Sequence, residues 1–242
     1  MNNEHIEYDR DVNPYPSFGK KYNGEKAIIS LTSWKARINT VAKTLYSLIK
    51  QCPGFHIVLV LSEEEFPKMM DELSENLKLF VDNELIEVLW VYKNYKSFKK
   101  VLFTMDKYRD VPVISADDDC IYRFNYAEEL YKKYIKSNGI VTETTDSDGG
   151  NAYGYATIYP PSFIEMTPTI LFMISQIIKK SSHDDFFMRF MREKKKIKLI
   201  SLHKPTYRVV IFSHEVKPLS KTRFNAEGRF IKNIIERSEC IK

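Results

Sequence analysis

The stretch VISADDDCIY, residues 113–122, decides how this chain is read. Its first half is an uninterrupted apolar run, suited to a strand buried on both faces. Its second half opens with three consecutive carboxylates, Asp117, Asp118 and Asp119. Three adjacent acids repel one another and are costly inside a protein unless cations or hydrogen bonds compensate. At the end of a buried strand of an open α/β sheet they fall where ligands bind. Alternation along an extended backbone would put Asp117 and Asp119 together and Asp118 on the other side. Paired hard oxygen ligands suit Mg²⁺ or Mn²⁺, which can carry a diphosphate leaving group. The competing reading of the triplet is a solvated acidic turn before the next helix.

Working outward, the same apolar runs recur. Ala27–Leu31, Ile57–Leu61, Ile86–Val91, Pro112–Ala116 and Ile140–Thr144 read as strands. Between them lie amphipathic stretches, with Val41, Leu45, Leu48 and Ile49 marking the first and Phe98, Val101, Leu102 and Met105 the third. This alternation predicts an α/β domain with a mainly parallel central sheet and helices on both faces. The second half is less regular. A helix is expected after Pro168 and another after His183-Asp184-Asp185, with strands near 197–202 and 209–213. Residues 1–25 read as a polar arm. Residues 26–215 read as one domain of two halves, 26–145 and 146–215, because loop composition and then patterning change near residue 146. Residues 216–242 read as a basic tail.

Composition narrows the class. The chain has 242 residues, 43% hydrophobic and 29% charged, with a net charge of +5. Collagen-like and disordered classes are excluded. Cys52, Cys120 and Cys240 are too far apart for a disulfide scaffold or zinc module, and a reducing, cytoplasmic setting is expected. The N-terminus lacks a secretory apolar region, and the most apolar later run, Ile170–Ile178, falls short of the roughly 20 residues that span a bilayer. Neither GxxxxGK[ST] nor GxGxxG occurs. RNA-recognition, KH and zinc-finger signatures are likewise missing, so no nucleic-acid partner is expected. The basic run 192–198 and the tail suggest a peripheral contact with an anionic membrane face.

Several segments together resemble bacterial glycosyltransferases of the GT-A fold, of the kind that build capsules and lipopolysaccharide. They are ISLTSWKARI (29–38), SLIKQ (47–51), IVLVLSEEEFP (57–67), YKSFKK (95–100), VISADDDCIY (113–122), YGYATIYPP (153–161) and HDDFF (183–187), covering about residues 27–190 in order. The triplet resembles the DXD signature of that family. The resemblance implies a metal-dependent enzyme moving a sugar from a nucleotide-sugar, a UDP-sugar by the family's habits, to a saccharide or lipid-linked acceptor. It places Thr32, Ser33 and Arg37 at the base and ribose, where hydroxyls and a guanidinium are fitting donors. It places Lys99 or Lys100 at the diphosphate and Asp117 and Asp118 with the donor. Asp117 and Asp119 would hold Mn²⁺ or Mg²⁺, and His214 would complete the metal shell. Asp185, or else Asp184, would take the proton of the acceptor hydroxyl. Tyr153, Gly154 and Tyr155 would form the acceptor wall, since aromatics stack on sugar faces and glycine permits close approach. The pattern departs at Cys120 and in the compact C-terminal part. The alternatives carried from the sequence are another metal-dependent nucleotidyl or phosphoryl transferase, favoured by the carboxylates but lacking a glycine-rich phosphate loop, and a non-catalytic nucleotide- or RNA-binding module.

Overall fold

The computed structural model describes residues 15–51, 53–143, 156–202, 207–210 and 224–239. Four parallel strands form the centre of the sheet: β2 (Ala27–Thr32), β3 (Phe55–Ser62), β4 (Glu87–Val91) and β5 (Val113–Ser115). With β1 (Ser17–Gly19), β7 (Gly139–Thr142), β8 (Thr157–Tyr159) and β9 (Lys198–Ser201) they make one eight-stranded sheet of order β1-β4-β3-β2-β5-β8-β7-β9. A two-stranded ribbon, β6 (Cys120–Tyr122) with β10 (Tyr207–Val210), stands beside it.

The apolar alternation of each strand feeds two cores. Ile29, Leu31, Leu59, Trp90 and Ile114 point to a layer made by α1 (Val41–Ile49), α2 (Glu75–Asp82) and α4 (Tyr126–Ile135). Ile28, Val58, Val60, Leu89 and Val113 point to the opposite layer. That layer is made by α3 (Lys99–Lys107), α5 (Pro168–Ile177), α6 (Asp184–Lys194) and α7 (Phe224–Glu239). The sheet is thus covered on both faces, as its near-continuous apolar strands require.

Three features differ from the sequence reading. The strand at 139–142 does not lie beside β5. The short β8 inserts between them, antiparallel to both. The polar N-terminal arm contains the edge strand β1, which runs antiparallel to β4. Tyr15 there is buried and donates to Asp106 Oδ2 at 2.9 Å. Gly19 has φ +91°, and a Cβ there would sit 2.4 Å from the Ile86 carbonyl oxygen, so only glycine fits. The basic tail contains α7, whose Ile231 and Ile235 are buried against α5 and α6. The i, i+4 apolar pair was hidden among charges. No helix among the described residues is long and apolar enough to cross a membrane.

The topology fixes the place of a site. From β2 the chain steps to β3 and β4 on one side, then returns across the sheet to β5 on the other. β2 and β5 are neighbours, with Ser30 opposite Ser115. Their carboxyl ends therefore flank the point where strand order reverses, which is where open α/β sheets leave a crevice.

Candidate active site at the switch point

The last ladder bond between these strands runs from the Ala116 amide to the Ser30 carbonyl, 2.9 Å. Beyond it the backbone leaves the extended conformation, and residues 118 and 119 form a turn. This overturns the expected alternation of the acid triplet. Asp118 and Asp119 share one guanidinium: Arg37 Nη1 donates to Asp118 Oδ1 at 2.9 Å and to Asp119 Oδ2 at 3.0 Å. Asp117 turns to the other side and accepts from Lys100 Nζ at 3.1 Å. The strand rule fails because the strand ends at Ser115, two residues before the first acid.

Each loop contributes for a local reason. Ser33, directly after β2, is buried and donates to Asp118 Oδ2 at 2.7 Å. Arg37 lies in the turn that leads into α1, and its carbonyl accepts from the Thr40 hydroxyl and the Val41 amide. Thr32 is drawn away from the acids, its hydroxyl donating to the Val60 carbonyl at 2.6 Å. Lys99 and Lys100 open α3 but face different ways, as neighbours on a helix must. Lys100 reaches the triplet. Lys99 is buried in a cage of its own, 2.7 Å from Glu65 Oε2 and 2.8 Å from Asn94 Oδ1. That removes Lys99 from the expected donor contacts. It ties together the loops after β3 and β4.

The two acid clusters of the sequence meet at Lys100. Its ammonium also lies 3.3 Å from Asp184 Oδ2, at the first turn of α6. The α3 and α6 starts are held together by the Ser97 hydroxyl donating to the Ser182 carbonyl and by Phe98 packing edge-on to Phe187. Asp184 and Asp185 occupy the first turn of α6, where the helix dipole favours negative charge. Asp184 is buried and clamped, whereas Asp185 is half-buried. Tyr153, Gly154, Tyr155 and His214 lie outside the described residues.

The electrostatics follow from burial and sign. Burial pushes the Asp117 carboxyl up to about 6. Lys100 pulls it down, but Asp119 and Asp184 add to the rise. Asp118 is also raised by burial, against the pull of Ser33 and Arg37. Burial opposes charge on Lys100, yet Asp117, Asp184 and Asp185 hold its ammonium well above the ordinary range. Five carboxylates thus face two cations, and an additional cation would be welcome.

Asp117 is fitted to receive one. Its Oδ2 makes no hydrogen bond among the described residues, and its side chain is 24% exposed. Asp119 is engaged by Arg37 and by the Cys120 thiol at 3.7 Å. No group of three His, Cys, Asp or Glu among the described residues is placed to hold a metal ion. The residues present therefore fit a partial site. Mg²⁺ and Mn²⁺ commonly use one or two carboxylates and complete their shell with substrate phosphates and water.

No protein-family model matches the chain, and no curated protein matches it in sequence. Among solved structures, the chain is similar to glycosyltransferases. The glycosyltransferase GlyE of Streptococcus pneumoniae matches at 13% identity over 75% of this chain and 46% of that chain, with a TM-score of 0.42. A mannosyltransferase from Pyrobaculum calidifontis, solved with GDP-Man and Mn²⁺, matches at 11% identity over 86% and 62%, with a TM-score of 0.49. A 4-diphosphocytidyl-2C-methyl-D-erythritol synthase matches at 9% identity over 87% and 99%, with a TM-score of 0.45. The chain spans less than two thirds of the two glycosyltransferase chains. At this similarity the likeness concerns the course of the chain and not individual site residues.

Sequence reasoning missed the residues that hold the triplet's backbone. Thr44 Oγ1 donates to the Asp118 carbonyl at 2.9 Å, and the Ser47 hydroxyl accepts the Tyr122 amide at 3.1 Å. Both sit on the buried side of α1. A polar residue on an apolar helical face was the available signal, since such a group must find a partner inside.

Proposed function

We propose that this chain is a metal-dependent glycosyltransferase that uses a nucleotide-sugar. The observation that carries the reading is the convergence of Asp117, Asp119, Lys100, Arg37 and the α6 acids at the switch point between β2 and β5. A dehydrogenase-like or P-loop site would present glycines and a bare helix N-terminus there. This site presents carboxylates with one buried cation, Lys100, and one half-buried, Arg37.

In this reading the donor lies across the carboxyl ends of β2 and β5. Ser33 and Arg37 face its nucleoside, and Lys100 faces the diphosphate as a point charge. When bound, a Mn²⁺ or Mg²⁺ ion would be held by Asp117 and by Asp119, whose carboxylate would have to leave Arg37, and would supply charge neutralisation to the leaving diphosphate. Asp185 accepts the proton of the acceptor hydroxyl, whose oxygen bonds to the anomeric carbon as the bond to the diphosphate oxygen breaks. Asp184 holds Lys100 in place and leaves the proton transfer to its half-buried neighbour. A UDP-sugar donor, a saccharide or lipid-linked acceptor, a role in surface polysaccharide synthesis and a peripheral contact on a cytoplasmic membrane face complete the proposal.

The test is thermal unfolding against a panel of nucleoside diphosphates with and without Mn²⁺. A ligand at about 100 times its Kd stabilises the fold by roughly 2.7 kcal/mol. A rise with one nucleotide that needs Mn²⁺ and is lost in Asp119→Asn is expected. Equal shifts in wild type and variant would remove Asp119 from the site. No shift with any nucleotide, beside tight salt-dependent RNA binding, would replace the enzyme with a binding module.

A further inference from the structure

The acid triplet begins with an amide that has no strand to bond to. β5 gives its last ladder bond at Ala116, so the part-buried Asp117 N–H would be an orphan donor, which folded proteins rarely tolerate. Its acceptor is the Tyr122 hydroxyl, at 2.7 Å. Tyr122 is buried, and its own position is fixed from three directions. Its amide donates to Ser47 Oγ on α1, β6 pairs with β10 with Tyr122 opposite Tyr207, and its ring lies 4.5 Å from that of Tyr126, tilted by 31°. The phenol thus closes a clip from residue 117 to residue 122 and fixes where the backbone turns. Everything displayed on that turn follows: Asp117 towards Lys100, Asp118 and Asp119 towards Arg37.

Tyr126 is the matched contrast. It is fully buried in the same ring pair, but its hydroxyl has no hydrogen-bond partner among the described residues. Two phenols therefore lie side by side beneath the site, one bonded to its backbone and one not.

We propose that Tyr122 is a positioning residue for the candidate site: its hydroxyl, by holding the Asp117 amide, sets the direction in which Asp117 offers its carboxylate to a bound cation. The proposal rests on the metal-binding reading given above. Tyr122 touches no ligand in this role and acts only through Asp117. Burial and the nearby Asp117 keep the phenol neutral, so it stays a hydroxyl at working pH.

The experiment compares Tyr122→Phe with Tyr126→Phe in the full chain. Each deletes one buried hydroxyl from the same aromatic pair and leaves the ring. Mn²⁺ alone is the probe, with the free ion read by electron paramagnetic resonance. The Asp117 amide is read by ¹H–¹⁵N correlation, and stability by thermal unfolding. Tyr122→Phe is expected to move the Asp117 amide signal and to weaken Mn²⁺ binding about tenfold. Tyr126→Phe is expected to leave both unchanged and to keep or raise the melting temperature, because it removes an unsatisfied hydroxyl.

Equal weakening by both variants, or unchanged binding in Tyr122→Phe, would overturn the positioning role while wild-type binding still stood. Wild type that binds no Mn²⁺ would overturn the metal reading itself. Should Tyr122→Phe not fold, wild type alone decides. Titrating Mg²⁺ should shift the Asp117 amide, and an unmoved amide at saturation would overturn the proposal.

Discussion

Replacing Lys100 with methionine is expected to destabilise the fold by about 3–5 kcal/mol and to abolish ligand binding at the switch point. The magnitude comes from what is left behind. Lys100 is 7% exposed, and its ammonium lies 3.1 Å from Asp117 and 3.3 Å from Asp184. Methionine fills much of the space but leaves the buried Asp184 and the partly exposed Asp117 without a counter-charge. Removing one partner of a buried ion pair costs far more than the pair is worth against a well-packed apolar alternative. Coupling is therefore the sharper readout. Adding Asp184→Asn to Lys100→Met should recover part of the loss, because it removes one of the stranded charges. Urea unfolding of the four proteins measures this directly. A loss below about 1 kcal/mol for Lys100→Met, or strict additivity in the double variant, would mean that the bridge between the acid clusters is not made in solution.

The bridge also marks the limit of what the sequence could tell. The strand-helix alternation from Ala27 to Thr142 was legible because parallel strands buried on both faces are apolar throughout. The acid triplet was legible because it interrupts such a strand at its end. Which lysine would reach it was not. Lys99 and Lys100 are chemically identical neighbours, and only the packing of α3 against β2 and β5 decides which faces the acids. Alternation predicted the wrong pairing within the triplet because a two-residue difference in where β5 stops changes every side chain after it. β8 was missed as a sheet member because Thr157–Tyr159 is too short to show a period. Thr44 and Ser47 were missed because each reads as core or helix surface until its partner, a backbone group far along the chain, is known, and Tyr122 because its partner, the Asp117 amide five residues earlier, is brought to it by a turn that has no period. α7 was lost in a tail judged by its charge, although Ile231 and Ile235 carry the spacing of a docked helix.

A second large effect is expected at the opposite end of the strands, far from the acid triplet. Glu87, the first residue of β4, is 2% exposed and yet charged. His56 Nε2 lies 2.7 Å from its Oε2, Lys107 Nζ donates to Oε1 at 2.6 Å, and the Tyr108 hydroxyl donates to Oε2. Burial opposes the charge, but these three partners outweigh it and bring the carboxyl from 4.5 down to about 2. A carboxyl depressed in the folded state stabilises the fold above its unfolded value, and that stability is lost as pH falls through the folded one. The window is therefore pH 4.5 down to about 2, and the interval corresponds to about 3 kcal/mol. Asp117 works the other way. Its carboxyl is raised to about 6, so the folded state takes up that proton first, and stability rises as pH falls from 7 towards 4. The two opposing slopes would blur in a single wild-type curve. Glu87→Gln separates them, because glutamine resembles the protonated acid in shape and cannot titrate. Urea unfolding between pH 7 and pH 2.5 should show the variant weaker by about 2–3 kcal/mol at neutral pH, with the gap closing as pH drops below 4.5. A gap that stays constant across the range would show that Glu87 contributes by shape alone and that its three partners do not hold its charge.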